Sequence, residues 1–228
     1  MKLSGIQKLT LLDFPGKVAC TLFTPGCNFR CPFCHNASLV FSCVRNITEE
    51  EVFAFLKKRT GILDGVCITG GEPLLQKDIA PFLAQVKALG FLVKLDTNGA
   101  FPDRLEPLLQ AKAVDYVAMD VKASRQNYHT AIGLATVDLD SIERSVELLK
   151  TSGVDHEFRT TTVKGIHTSK DFEDIAQWLA GEEKYFLQQY TPSDDMIGDP
   201  FEQFTKEELE AFAAIVRRTV KNVEIRGI

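Results

Sequence analysis

Six cysteines in 228 residues are too few for a secreted disulfide scaffold, and the opening Met1-Lys2-Leu3-Ser4 carries no apolar signal segment. Basic residues are also scarce. The 26 Lys and Arg stand against 31 Asp and Glu, for a formal net charge of -5 and a pI near 5.5. A nucleic-acid surface needs clustered cations to neutralise phosphates, so nucleic acid is not an expected partner. No apolar run approaches the roughly 20 residues that span a bilayer, which argues against a membrane protein, and low-complexity tracts and solenoid repeats are lacking. What is left is an ordinary globular composition, 45% apolar and 25% charged, enough for one substantial core. A single domain over residues 1–228 is therefore expected, in the reducing cytoplasm that suits its thiols.

Runs rich in β-branched and aromatic residues at 18–23, 65–69, 92–96, 116–119, 157–162 and 185–189 predict six core strands, with 223–225 as a terminal addition. Helical patterns lie between them. Ile79, Phe82, Leu83, Val86 and Leu89 share one face, with Asp78 as N-cap, Pro81 in the tolerant first turn and Gly90 just past the end. Thr48 with Glu51, and Thr205 with Glu208, spell capping boxes; the second opens a stripe of Leu209, Phe212, Ala213, Val216 and Val220. Leu139, Ile142, Val146 and Leu149 mark another helix, closed by Gly153. These stripes read as core packing. Alternation of strand and helix implies an α/β fold with a parallel sheet and right-handed crossovers. About six βα units in this length predict an open, partial TIM-like barrel, since a closed eight-stranded one takes about 250 residues.

Chemistry enters with Cys27, Cys31 and Cys34 in the run Gly26-Cys27-Asn28-Phe29-Arg30-Cys31-Pro32-Phe33-Cys34-His35-Asn36. Three soft thiolates on one short loop are one fewer than a closed site needs. Structural zinc and most iron-sulfur clusters take four protein ligands, whereas a reactive metal site keeps a position open. The spacing points to a cluster with one exposed iron. Zinc completed by His35 or Cys43 is the chemical alternative, although zinc sites favour paired Cys-x2-Cys knuckles. Cys20 and Cys67 sit in apolar runs and read as core; Cys43 reads as neither ligand nor core.

In parallel α/β folds the carboxyl ends of the strands build the site, and here each of those ends carries polar groups. Thr24-Pro25-Gly26 leads into the cysteine loop; Thr69-Gly70-Gly71-Glu72-Pro73, Asp96-Thr97-Asn98-Gly99, Asp120 with Lys122, Arg159, and Gln188-Gln189-Tyr190 follow at later ends. Gly70-Gly71 fits a tight turn, or a place where backbone comes close to a ligand. Glu72 fits either an acceptor for a ligand ammonium or a helix cap. Asp96 and Asp120 end apolar strands, where a buried charge needs a counter-ion, hydrogen bonds or a proton. Lys122 and Arg159 can pair with those aspartates or with a ligand carboxylate. Of the four His, only His35 is near the cysteines; His129, His156 and His167 read as surface or packing residues, and Trp178 as core.

The Cys-x3-Cys-x2-Cys spacing with Phe33 before the last cysteine resembles the radical S-adenosylmethionine (SAM) superfamily. Further matches run along nearly the whole chain: Leu12-Asp13-Phe14-Pro15-Gly16-Lys17, Cys27 to Asn36 with its Cys34-His35-Asn36 continuation, Thr69-Gly70-Gly71-Glu72-Pro73-Leu74-Leu75-Gln76, Leu95-Asp96-Thr97-Asn98-Gly99, Asp115 to Lys122 with Asp120-Val121-Lys122, and Phe158-Arg159-Thr160-Thr161. Together these resemble its glycyl-radical-enzyme activating branch, above all the activating proteins of anaerobic ribonucleoside-triphosphate reductase. The resemblance implies one 4Fe-4S cluster on Cys27, Cys31 and Cys34, with the remaining iron chelated by the amino and carboxylate groups of SAM. It implies SAM contacts from Phe33, Cys34, His35, Gly70, Gly71, Glu72, Asp120, Lys122 and Arg159, and a monovalent cation at Asp96, Thr97 and Asp120. It also implies a glycyl radical enzyme as partner, from whose glycine a 5′-deoxyadenosyl radical takes hydrogen, and reduced flavodoxin or ferredoxin as electron donor. Pyruvate formate-lyase activators place a His where this chain has Gln189-Tyr190, which sets it apart from that type. A radical SAM enzyme acting on a small molecule and a zinc-stabilised binding protein are the competing expectations.

Overall fold

A computed structural model describes residues 1–41 and 46–228, so Cys43 lies outside the described residues. The elements in chain order are β1 (Gly5–Thr10), β2 (Ala19–Thr24), α1 (Ala37–Val40), α2 (Glu49–Lys57), β3 (Gly65–Gly70), α3 (Ile79–Ala88), β4 (Leu92–Thr97), α4 (Pro102–Gln110), β5 (Tyr116–Asp120), α5 (Tyr128–Ile132), α6 (Leu139–Ser152), β6 (Asp155–Thr162), α7 (Ser169–Trp178), β7 (Lys184–Gln189), α8 (Lys206–Val216) and β8 (Asn222–Arg226). The strands form one sheet in chain order, open because β1 and β8 are its edges. The six expected strands and the terminal addition are all present. The expected open α/β sheet of about six parallel units is what the fold shows, and β1 adds to it, at the start, an antiparallel pair with β2. Its sequence, Gly5-Ile6-Gln7-Lys8-Leu9-Thr10, is largely exposed and carries no apolar run by which to be noticed.

By contacts the chain groups into two compact units. The first comprises Met1–Asn28, Ser38–Ala118 and Ser141–Asp155; the second comprises Phe29–Ala37, Met119–Asp140 and His156–Ile228. In the first, β2, β3 and β4 are parallel and in register, Cys20 facing Val66 and Val66 facing Val93. Cys20, Leu22, Val66, Ile68, Val93 and Leu95 are fully buried. Side chains alternate along a strand, so these six leave the other face to Thr21, Cys67, Lys94 and Asp96. α2 begins with the expected Thr48–Glu51 capping box. α3 does start after Asp78, but that carboxylate makes no cap bond and pairs instead with the Met1 amino group at 2.6 Å.

In the second unit β6, β7 and β8 run parallel, Phe158 opposite Tyr185 and Tyr185 opposite Val223. α8 opens with the Thr205–Glu208 box, and α7 with a Thr168–Asp171 box that the sequence reading passed over. Phe172 stacks on Phe212 with ring centroids 4.5 Å apart. Each side chain of this size buried from water contributes about 1.5–3 kcal/mol.

Candidate active site

The first unit carries Cys27 and the glycine pair. Gly70 N-terminal to the turn has φ +118°, and a Cβ on it would meet the Thr24 backbone within 2.5 Å. A Cβ on Gly71 would lie 1.9 Å from the Gly26 carbonyl oxygen. Gly71 N–H donates to Thr24 O at 2.9 Å and Glu72 N–H to Gly26 O at 2.8 Å. The pair therefore allows close backbone approach, and the backbone it admits is the segment leading into Cys27.

Glu72 is sealed from solvent, at 0% exposure. Its carboxylate accepts from Leu74 N–H at 2.9 Å, Thr97 Oγ1 at 2.9 Å and Asn98 N–H at 2.7 Å. Of its two expected roles the structure builds the cap, and adds a tie to the end of β4. Thr97 is thereby engaged with Glu72. Asp96 is paired with the buried Lys94 ammonium. A residue that the sequence reading gave no role, Asn98, donates its Nδ2 to Asn28 Oδ1 at 2.8 Å and to Cys27 Sγ at 3.9 Å. Asx side chains at strand ends commonly bond nearby backbone, and only the fold shows that this one reaches the cysteine loop.

The second unit carries the other two cysteines. Cys34 N–H donates to Cys31 O at 3.0 Å, closing a turn, and Arg30 N–H to Ile132 O at 2.9 Å. Arg30 O lies 2.2 Å from where a Cβ on Gly133 would stand, and Gly133 sits at φ +65°, a left-handed cap that glycine fills without strain. Phe33 is buried and meets His167 edge-on at 6.5 Å. His167, 3% exposed, accepts from Val163 N–H at Nδ1 and bonds Lys122 O through Nε2 at 2.8 Å. Burial lowers its pKa and holds the ring neutral, as two different ring-nitrogen roles require. It is more than a packing residue: it braces both Phe33 and the backbone of Lys122.

Lys122 and Arg159 pair with Asp120. Lys122 Nζ donates to Oδ2 and Arg159 Nε to Oδ1, each at 2.9 Å, and the Asp120 side chain stays 28% exposed. Burial by itself would raise the Asp120 carboxyl; the charges and hydrogen bonds of Arg159 and Lys122 overrule it and hold it well below the usual carboxylate range. Burial likewise opposes the charge on Lys122, and Asp120, then Cys31, push its pKa above the usual value. Lys122 and Arg159 both face this one carboxylate, which places cationic groups where an anionic ligand group or a thiolate could meet them. His35 is lowered, by burial first and then by Lys122.

The donor set fits an iron-sulfur cluster. Cys27 receives an amide hydrogen bond and Cys31 feels the Lys122 cation, and both influences favour thiolate. Among the described residues no three His, Cys, Asp or Glu side chains close on a common point, whereas a cube takes each thiolate on a separate iron and makes no such demand.

The chain is similar to known proteins. The family model for the radical SAM superfamily matches residues 21–179. A proposed glycyl-radical enzyme activating enzyme of Methanocaldococcus jannaschii is 35% identical over 233 residues, covering 99% of this chain and 95% of the relative. A pyruvate formate-lyase-activating enzyme of Clostridium pasteurianum is 29% identical over 64% of this chain and 63% of its own. Among solved structures, Streptococcus suis SuiB bound to its precursor peptide SuiA superimposes with a TM-score of 0.73 at 15% identity, over 91% of this chain and 48% of that one, a likeness of fold. The chain belongs to the radical SAM superfamily, and it is an enzyme whose chemistry runs on a 4Fe-4S cluster and SAM.

Proposed function

We propose that this chain activates a glycyl radical enzyme, and that its partner is an anaerobic ribonucleoside-triphosphate reductase. The observation that carries the first half is the end-to-end match to a relative described as an activating enzyme, 99% of this chain against 95% of that one. The motif series, with Cys34-His35-Asn36 and Asp120-Val121-Lys122, supports the second half. The reading places the enzyme in the cytoplasm, with reduced flavodoxin or ferredoxin as its electron source.

When bound, the cluster supplies one electron to the SAM sulfonium. Everything else falls to the chain. Cys27, Cys31 and Cys34 would hold the cluster as thiolates. Lys122 and Arg159, aimed by Asp120, would attract the SAM carboxylate, and Lys122 would steady the Cys31 thiolate. Phe33, braced by His167, and His35 would line the cofactor and keep water from it. Gly70, Gly71 and Glu72 act one step back: they fix the backbone that carries Cys27.

Protein reconstituted without air should be brown, with about four irons per chain, and Cys31→Ala should lose iron and SAM cleavage together while Cys43→Ala keeps both. Colourless protein with stoichiometric zinc would return the binding-module reading. Reduced with SAM and an anaerobic ribonucleotide reductase, the enzyme should give a glycyl doublet in electron spin resonance. No doublet on that reductase rejects this partner, and turnover of a metabolite without any protein radical rejects activation altogether.

A further inference from the structure

Lys94 stands out as a charge in the wrong place. It lies on a central strand, is 1% exposed, and faces Cys67 across the β3–β4 register. An ammonium is not buried so deeply without a partner. Its partner is Asp96, two residues on and hence on the same face of β4, to which Nζ donates directly; Cys67 Sγ lies 3.9 Å from Nζ and 3.9 Å from Asp96 Oδ1. The Asp96 side chain keeps 16% exposure at the carboxyl end of the strand, so the carboxylate is open to solvent on one side and neutralised from below on the other.

We propose that Lys94 is a built-in cation for Asp96, a covalently held ammonium in the position that an inorganic monovalent ion would otherwise have to fill. A bare carboxylate at that end of β4 would repel an anionic ligand and recruit potassium or sodium; with Lys94 beneath it, Asp96 presents no net charge and needs neither. The proposal makes Lys94 a positioning residue, and only its SAM readout rests on the function proposed above.

The test compares the reconstituted enzyme with Lys94→Ala in potassium chloride and in tetramethylammonium chloride, whose cation is too large for the vacated space. SAM affinity is read by equilibrium dialysis and stability by melting temperature. The parent should be indifferent to the salt. Lys94→Ala in tetramethylammonium should bind SAM about tenfold more weakly and regain most of that loss, with a rise in melting temperature, when ammonium chloride is added. The proposal is overturned by a parent that itself weakens about tenfold without potassium, or by a variant that matches the parent in both salts. A parent that binds no SAM in either salt rejects the SAM reading, and the melting temperatures then decide alone: a rise with ammonium confined to Lys94→Ala upholds the built-in cation, and an equal response of both proteins overturns it. Where the alanine variant does not fold, Lys94→Arg keeps the charge and should keep the indifference to potassium; a potassium requirement in Lys94→Arg overturns the proposal equally.

Discussion

In the first unit Cys27 is held by backbone contacts and by hydrogen bonds that run to a sealed carboxylate and an amide, whereas in the second Cys31 sits beside charged side chains partly open to solvent. Around Cys27 the contacts are Gly71 against Gly26, the sealed Glu72 with its three donors, and the Asn98 amide. Beside Cys31 stands the Lys122 cation, paired with an Asp120 that Arg159 also holds and that is partly open to solvent. A site built from backbone tolerates no added atom. One built from charges tolerates added atoms better than it tolerates a lost charge. Substitutions of the two kinds should therefore fail differently.

Gly71→Ala should do the most damage. Its Cβ would stand 1.9 Å from one backbone atom of Gly26 and 2.6 Å from another, so the loop has to move. Overpacking of this kind costs about 1–3 kcal/mol or more, and the displaced segment carries Cys27. Iron content after reconstitution should fall to a small fraction of the parent's. Gly16→Ala is the control, since Gly16 has a positive φ, +67°, but nothing within 4 Å of the added carbon; it should cost about 1 kcal/mol and leave the iron in place. Equal iron in both variants would mean that the Gly26–Gly71 contact does not position the loop.

The contrast between the units also explains what could be read beforehand. The strands and the two capping boxes are local patterns, set by side-chain periodicity and spacing, and they were legible. So was the meeting of Asp120 with Lys122, two residues apart, although whether Lys122 would turn to Asp120 or to a ligand was not. Long-range hydrogen bonds were hidden. Nothing in the order of residues says that Asn98 reaches Asn28, that Glu72 spends its oxygens on Thr97 and Asn98, or that His167 spans Phe33 and Lys122. β1 escaped notice because an exposed edge strand needs no apolar alternation. Asp96, Thr97 and Asp120 do lie at strand ends, but Lys94, the residue that engages Asp96, lay in plain view as an oddity inside an apolar run.

Next in size is a crossed pair of variants. Glu72→Gln puts an amide donor among three existing donors in a closed space, and unsatisfied buried groups cost about 1–3 kcal/mol each; melting temperature should drop markedly. Asp120→Asn leaves Lys122 and Arg159 without their counter-charge at a partly exposed position, so it should lower melting temperature less than Glu72→Gln does. Its larger effect should be on SAM binding, because the two cations lose the carboxylate that aims them; about tenfold is expected from charge-assisted hydrogen bonds of this kind. The opposite ranking in both measurements would erase the distinction between the units.

The smallest effect is a pH dependence that belongs to the second unit. Asp120 has a folded pKa below the ordinary value of about 3.9, set against burial by Arg159 and Lys122. Its ionised form therefore stabilises the fold fully above that ordinary value, and the contribution is lost as pH falls through the folded pKa. Lys122 is shifted the other way, so its contribution is complete below the ordinary lysine value of about 10.4 and fades only as pH rises through its higher folded pKa. Between about pH 5 and pH 9 neither group changes charge, and the stability gap between the parent and Asp120→Asn should be constant. Below about pH 4 it should narrow, because the parent begins to lose what the variant never had. Urea unfolding across that range measures the gap directly. A gap that instead widens as pH falls through about 6 would mean that burial, not the two cations, sets the Asp120 pKa, and Asp120 would then be held by exclusion of water, as Glu72 is.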